Sequence, residues 1–466
     1  MIRYVSTRGR AEPLDFEGAL LAGLATDGGL YVPESWPQLS AEQLRALRGQ
    51  PYAELATEVL WPFVAGSLPK DRLAAHAATA YGAFAHRAVA PLKQLGPNAW
   101  LMELFHGPTL AFKDFALQLL GLLFEDVLAR RQRSITIVGA TSGDTGSAAI
   151  RAVAGRARMQ IVMLHPRGRV SEVQRRQMTT VPDANVHNVA IEGTFDDCQA
   201  LVKALFNDLA FRAEARLAAV NSINWARIAA QVPYYVHAAL ALGGPDRPVA
   251  FAVPTGNFGD VYAGWVAARI GLPVARLVVA TNRNDILARF LATGRYETGE
   301  VHPTISPSMD IQVASNFERL LLDLLGGPDA VRTAMEDFAR TGSLAVDEAR
   351  LAGAAALFTG CRVDEDATRR SMADTLRAAG ELVDPHTAVA LAAAAAARGD
   401  PAVPMVTLAT AHPAKFPDAV AAATGVHPGL PPHMADLYEQ PERYDMLAND
   451  LEALKAHIRA RALGTA

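Results

Sequence analysis

The chain has 466 residues, 50% of them hydrophobic and 20% charged, with a formal net charge of -4. This is the composition of a globular protein with room for several domains and an ample core. The near balance of charge argues against the broad basic surface of a nucleic-acid binder. The two cysteines, Cys198 and Cys361, are too far apart for a short-spaced metal or redox pair, so no metal is expected.

Residues 1–95 read as a separate N-terminal block. Turn residues punctuate it at Asp27-Gly28-Gly29, Pro33 and Trp36-Pro37, and a helical segment follows from Ser40 to Leu47. Its first residues show no apolar leader, and the longest apolar tract, Thr387 to Ala397, is alanine-rich and too short to span a bilayer. A cytoplasmic location without a membrane partner is expected.

Next comes His106-Gly107-Pro108-Thr109-Leu110-Ala111-Phe112-Lys113-Asp114, leading into a helical pattern that runs to about Arg130. A lysine at a helix start meets the positive end of the dipole, which disfavours added positive charge. That suits an amine that must act as a nucleophile. From about residue 134, short β-branched runs alternate with helical stretches. Strands are expected at 134–138, 160–164, 186–191, 248–253, 277–280 and 405–408, with helices at 147–154, from Ser171, 196–209 and 260–270. Ser171 and Gln174 form a capping-box pattern at the second of these helices. The alternation means βαβ units and parallel sheets, so the fold class is α/β, with two doubly wound domains. The expected blocks are 1–95, then 96–245 carrying the lysine, then 246–466 with the C-terminal helices.

Two Gly-rich turns each link a strand to a helix: Gly139-Ala140-Thr141-Ser142-Gly143-Asp144-Thr145-Gly146 and Pro254-Thr255-Gly256-Asn257-Phe258-Gly259-Asp260. Glycines let the backbone approach a ligand, and the helix N-terminus behind each turn offers amide donors to an anion. Neither turn is a Walker loop, and neither gives a clean dinucleotide fingerprint with a ribose-binding acid. The arginines Arg167, Arg169, Arg175 and Arg176 read as a solvated helix face, and His106 and His412 as hydrogen-bonded or packed histidines.

The segment Thr109-Leu110-Ala111-Phe112-Lys113-Asp114 resembles the cofactor-lysine segment of threonine synthases, pyridoxal-phosphate enzymes of the tryptophan-synthase-β-like fold (fold type II). The resemblance extends in order through Gly28–Pro33, Gly168–Ser171, Asn221–Trp225, Ser308–Ile311, Ser315–Arg319 and Thr410–Phe416. It implies an N-terminal extension on two α/β domains with pyridoxal 5'-phosphate between them. Lys113 would hold the cofactor as a Schiff base and later move protons. Thr255, Gly256, Asn257, Phe258 and Gly259 would hold its phosphate, and Thr410 would sit beside the ring nitrogen. Asp144 would lie near the cofactor in a role left open, because related enzymes carry asparagine there. Thr141, Ser142, Gly143 and Thr145 would receive the substrate carboxylate.

The implied substrate is O-phospho-L-homoserine, converted with water to L-threonine and phosphate. Its dianionic tail needs a second subsite. Candidates are Lys415, Arg283, Ser308, Asn316 and Arg319, with Lys415 preferred for its nearness to Thr410. A serine/threonine dehydratase, a cysteine synthase or a non-catalytic relative remain the alternatives. The N-terminal block and the segments around Ser308 and His412 argue against the first two, and the intact lysine and two Gly-rich turns argue against the third.

Overall fold

A computed structural model describes residues 2–218 and 222–461, so Asn221, the first residue of one family-like segment, lies outside the described residues. The chain forms two compact units. One comprises residues 1–106 and 222–428, the other 107–221 and 429–466. These units cut the chain differently from the expected sequential blocks. The reason is strand pairing between distant segments. Ala99–Glu103 runs parallel to Met405–Ala409, three hundred residues later, and Asp445–Leu447 runs parallel to Val186–Ile191.

The larger unit is built on a six-stranded sheet in the order Phe358–Arg362, Val274–Thr281, Val249–Pro254, Met405–Ala409, Ala99–Glu103, Leu92–Gly96. All neighbours are parallel except the last pair, Ala99–Glu103 with Leu92–Gly96. Two strands that lead into predicted site segments lie side by side, with Val406 opposite Phe251 and Thr407 opposite Ala252. Thr255 and Thr410 therefore both leave the carboxyl edge of this sheet, where α/β folds place ligands. The alanine-rich helix, Pro385–Ala396, packs its small side chains on the sheet, with Val389, Ala390 and Ala393 beside Ala250, Ala252 and Val278. Small residues let helix and sheet approach closely, and burial of this apolar surface stabilises the unit.

In the smaller unit the order is Asp445–Leu447, Val186–Ile191, Met159–Pro166, Ile135–Ala140, Leu217–Ala218, all parallel. Met159–Pro166 is buried along its whole length, as a central parallel strand requires. Val138, Val162, Leu164 and Val189 pack against Leu201 and Leu205 of the helix Phe195–Asn207.

Most expected elements are present within a few residues. The first Gly-rich turn differs. Its helix starts at Asp144 rather than 147, inside the glycine-rich stretch. Gly143, at φ 145°, makes the bend, and the Thr141 hydroxyl accepts the amides of Gly143 and Gly146, both at 2.9 Å, in place of a missing side-chain cap. No helix among the described residues is long and apolar enough to cross a membrane.

Candidate active site

In the smaller unit, Lys113 is the first residue of the helix Lys113–Arg130, as its position in the sequence implies. The turn before it is locked from within. Buried Asp114 accepts the Thr109 amide at 2.7 Å, the Thr109 hydroxyl at 2.8 Å and the Gln118 amide at 3.2 Å. These bonds fix the lysine's backbone while leaving its amine to reach elsewhere. Lys113 Nζ lies 3.2 Å from Asp144 Oδ2, and Gln174 Nε2 donates to Asp144 Oδ1 at 2.8 Å. Asp144, whose role the sequence left open, is thus an ion-pair partner of the lysine, aimed by a glutamine.

The loop around Asp144 has no room to spare. A Cβ at Gly143 would lie 2.4 Å from the Gln174 side chain. Ser142 is exposed and Thr145 half-buried, and among the described residues neither hydroxyl bonds within the protein. Thr141 differs from these two, since its hydroxyl is committed to the loop's own amides.

The larger unit carries the other predicted residues. Among the described residues no side chain caps the helix Gly259–Arg269. Its N-cap, Phe258, takes the left-handed conformation at φ 67°, an uncommon state for a bulky residue and one found where function over-determines the backbone. Gly256 packs under the turn Pro307–Met309. A Cβ there would lie 2.7 Å from the Ser308 carbonyl oxygen, so only glycine fits. Thr255 donates its hydroxyl to the Val253 carbonyl at 2.7 Å. Asn257 accepts the Asn316 amide at its carbonyl, 3.0 Å, and the Ser315 hydroxyl at its side chain, 3.3 Å. The result is a braced helix N-terminus with open amides, which fits a phosphate group. Thr410, in the adjacent strand end, is buried, and among the described residues its hydroxyl has no bond within the protein.

Behind the cradle, Asp260 is buried and accepts the Tyr234 hydroxyl at 2.5 Å and the Tyr235 hydroxyl at 2.9 Å. Burial pushes its carboxyl from 3.8 up to about 6, against the tyrosine hydrogen bonds, which lower it.

The candidates for the second anion subsite separate by environment. Arg283 is exposed, between the buried Asn282 and Asn284 that both donate to Asp310. Lys415 is fully buried at the end of the turn Pro413–Lys415. Asn316 donates to the Ser222 carbonyl at 3.1 Å and also accepts from Arg319. Arg319 donates to the carbonyls of Tyr31 and Ile223. Asn316 and Arg319 therefore hold the stretch that leads into the short helix Trp225–Ala229.

That helix carries a residue not singled out in the sequence, Arg227. It is buried, and among the described residues its Nε and Nη1 have no hydrogen-bond partner. Burial pushes the guanidinium down to about 10, and no carboxylate among the described residues opposes it. A buried cation without a counterion is costly unless a ligand supplies one. Its neighbour Ile228 lies against the cradle, with Cδ1 3.4 Å from where a Gly259 Cβ would stand. The signal available in the sequence was a lone arginine in the otherwise uncharged run Ser222–Tyr235.

Among the described residues no group of three His, Cys, Asp or Glu side chains could hold a metal.

Comparison with known proteins adds the family. Residues 3–81 match the family described as threonine synthase N terminus, 85–362 that of pyridoxal-phosphate dependent enzymes, and 387–458 that of threonine synthase, C-terminal. The chain is 55% identical over 459 residues to a threonine synthase of Pseudomonas aeruginosa, covering 98% of each. Its structure is similar to that of a PLP-bound threonine synthase from Brucella melitensis, at TM-score 0.98 and 52% identity over 100% of both chains. It is also similar to the threonine synthase of yeast, at TM-score 0.94 and 39% identity over 98% of both. With this similarity over its whole length, the chain belongs to the threonine synthase family of pyridoxal-phosphate-dependent, fold type II enzymes.

Proposed function

We propose that the protein converts O-phospho-L-homoserine and water to L-threonine and inorganic phosphate. The observation that carries the choice of substrate is Arg227. A serine or threonine dehydratase needs one anion cradle for the cofactor phosphate and one for the substrate carboxylate. A buried guanidinium with no counterion among the described residues, on a helix whose Ile228 packs against the cofactor cradle, would supply a third anion site. A phosphorylated amino acid has that third anion.

In this reading Lys113 would hold pyridoxal phosphate covalently, the amides of Gly256–Gly259 would hold its phosphate, with Thr255 and Asn257 bracing the loop, and Thr410 would sit beside its ring nitrogen. A neutral hydroxyl there does not stabilise a protonated ring as a carboxylate would. The bound cofactor supplies an electron sink for charge at the substrate's α-carbon. Ser142, Gly143 and Thr145 receive the substrate carboxylate, and Thr141 shapes that loop. Lys113 would take the α-proton and then a β-proton, so that phosphate can leave from Cγ with the bonding electrons; the amine would return one proton to Cγ and, once water has added its hydroxyl at Cβ and given its other proton to the departing phosphate, one to Cα. One tethered base can do all of this, because the protons move on the face where it stands. Asp144 and Gln174 aim the amine. Arg227 binds the phosphate and stabilises the charge that builds as the Cγ–O bond breaks.

The test is a paired assay of free phosphate and L-threonine from O-phospho-L-homoserine with cofactor-loaded protein. Equal release of both supports the reading. Phosphate accompanied by a 2-oxo acid would reassign the protein to simple elimination.

A further inference from the structure

Asp384 and His386 open the alanine-rich helix Pro385–Ala396, which the sequence marked only for its hydrophobicity. Both side chains are buried. Asp384 Oδ2 accepts the His386 amide at 3.0 Å and faces His386 Nδ1 at 2.6 Å. Its Oδ1 accepts the Thr387 amide at 3.1 Å and the Thr387 hydroxyl. An ionised carboxylate only accepts, so Nδ1 must carry its proton. Nε2 is then left with a lone pair, and the Ser308 amide donates to it at 3.2 Å. The next residue, Met309, packs with Val389 and Ala390 of the same helix. The carbonyl of Ser308 in turn rests against Gly256, the first residue of the anion cradle.

We propose that Asp384 and His386 are a positioning pair for the cofactor-phosphate cradle. The proposal rests on the reading of Gly256–Gly259 as that cradle. The pair works through tautomer choice. With Nδ1 held by Asp384, the imidazole offers an acceptor to Ser308. In the other tautomer it would present an N–H to an N–H, and the Ser308 amide would lose its partner. An unmade buried hydrogen bond is costly, enough to shift a one-turn segment whose carbonyl fixes the Gly256 backbone. The ring cannot swing away easily, because Phe416 packs on it with centroids 4.8 Å apart. Asp310, which accepts from Asn282 at 2.7 Å and Asn284 at 3.0 Å, ties down the other end of the same segment. Residues 306–310 are thus pinned at both ends, and the His386 end sets the height of the Ser308 carbonyl under the cradle.

The experiment compares His386→Leu, His386→Gln, Asp384→Asn and Gly256→Ala with the wild-type full chain. Three quantities are read: the dissociation constant of pyridoxal phosphate by titration of the apo protein, the ³¹P resonance of the bound phosphate, and the urea midpoint. His386→Leu and Asp384→Asn are expected to weaken cofactor binding about 10- to 100-fold and to shift or broaden the ³¹P line. His386→Gln, which keeps an acceptor near Nε2, is expected to restore binding to within about threefold of wild type. If His386→Gln binds as poorly as His386→Leu, the effect is packing damage and the proposal falls. If His386→Leu does not fold, Asp384→Asn decides, and wild-type affinity with an unmoved ³¹P line overturns the proposal. Gly256→Ala separates the two levels. If it too leaves cofactor affinity unchanged, the cradle reading fails as well. If it weakens binding while Asp384→Asn does not, only the positioning role is lost.

Discussion

Lys113 Nζ stands 3.2 Å from Asp144 Oδ2, and Gln174 holds the other carboxylate oxygen at 2.8 Å. The helix end at Lys113 contributes roughly half a positive charge, whereas Asp144 contributes a full negative one at hydrogen-bond distance. The ion pair, more than the dipole, therefore defines the lysine's surroundings. Asp144→Asn keeps the shape and the contact to Gln174 but removes the charge. Loss of a charge-assisted bond is worth about 1.5–3 kcal/mol, so kcat should fall about 10- to 100-fold with the urea midpoint nearly unchanged. Steady-state kinetics beside a Lys113→Ala control, expected to be inactive, checks this. A wild-type kcat in Asp144→Asn would remove Asp144 from the account.

Gly256→Ala places a methyl 2.7 Å from the Ser308 carbonyl, where neither backbone can yield without opening the cradle. Cofactor affinity, read by absorbance titration, should fall at least tenfold, about 1.4 kcal/mol. The change should leave far-UV circular dichroism intact, because the loop and not the sheet absorbs the displacement.

Arg227 should show opposite effects on stability and function. Replacing an uncompensated buried cation with an apolar residue of similar length removes a desolvation cost. Arg227→Met is expected to stabilise the apo protein by about 1–4 kcal/mol in urea unfolding. The same change should lower kcat/KM for O-phospho-L-homoserine about 100-fold, with a fall in kcat beside the rise in KM, because the guanidinium both binds the phosphate and stabilises the charge that builds on it. Unchanged kinetics would show that the arginine serves packing alone.

Asp260 gives a pH signature. Its folded-state carboxyl titrates at about 6 against 3.8 for the free group. The folded protein therefore binds this proton more tightly than the unfolded chain. The stability this adds is fully present below about pH 4 and is lost as pH rises through about 6. Two units correspond to about 3 kcal/mol. Asp260→Asn accepts the same tyrosine hydroxyls but does not titrate. The wild-type stability minus that of the variant should thus fall by about 3 kcal/mol between pH 4 and 7, measured by urea unfolding of apo protein. Parallel pH curves would contradict the assignment.

Local signals were legible where local physics decides them. Val186–Ile191 is a strand over the same residues that its β-branched run suggested, and Ser171 caps its helix as Ser171-x-x-Gln174 implied. The edge strand Leu92–Gly96 and its neighbour Ala99–Glu103 were not legible. Lys93, Gln94 and Gly96 are poor strand formers, and pairing with Met405–Ala409 holds the sheet there. The same limit applies to the site. Glycine, lysine and the helix starts announced the two cradles from short spacings. Arg227 and His386 did not announce themselves, because a missing counterion and a tautomer are properties of burial and of partners far away in the chain, Ser308 being 78 residues from His386. Asn316 and Arg319 carried the right charge or polarity for an anion site, yet their donors are committed to the carbonyls of Ser222 and Ile223, just before Arg227, and of Tyr31.

The most direct test of the central claim is to run the reaction in H₂¹⁸O and locate the label by mass spectrometry. If water adds at Cβ while the Cγ–O bond breaks, L-threonine carries one ¹⁸O in its hydroxyl and the released phosphate carries none. Label in the phosphate, with homoserine as the organic product, would mean P–O hydrolysis and would contradict the account.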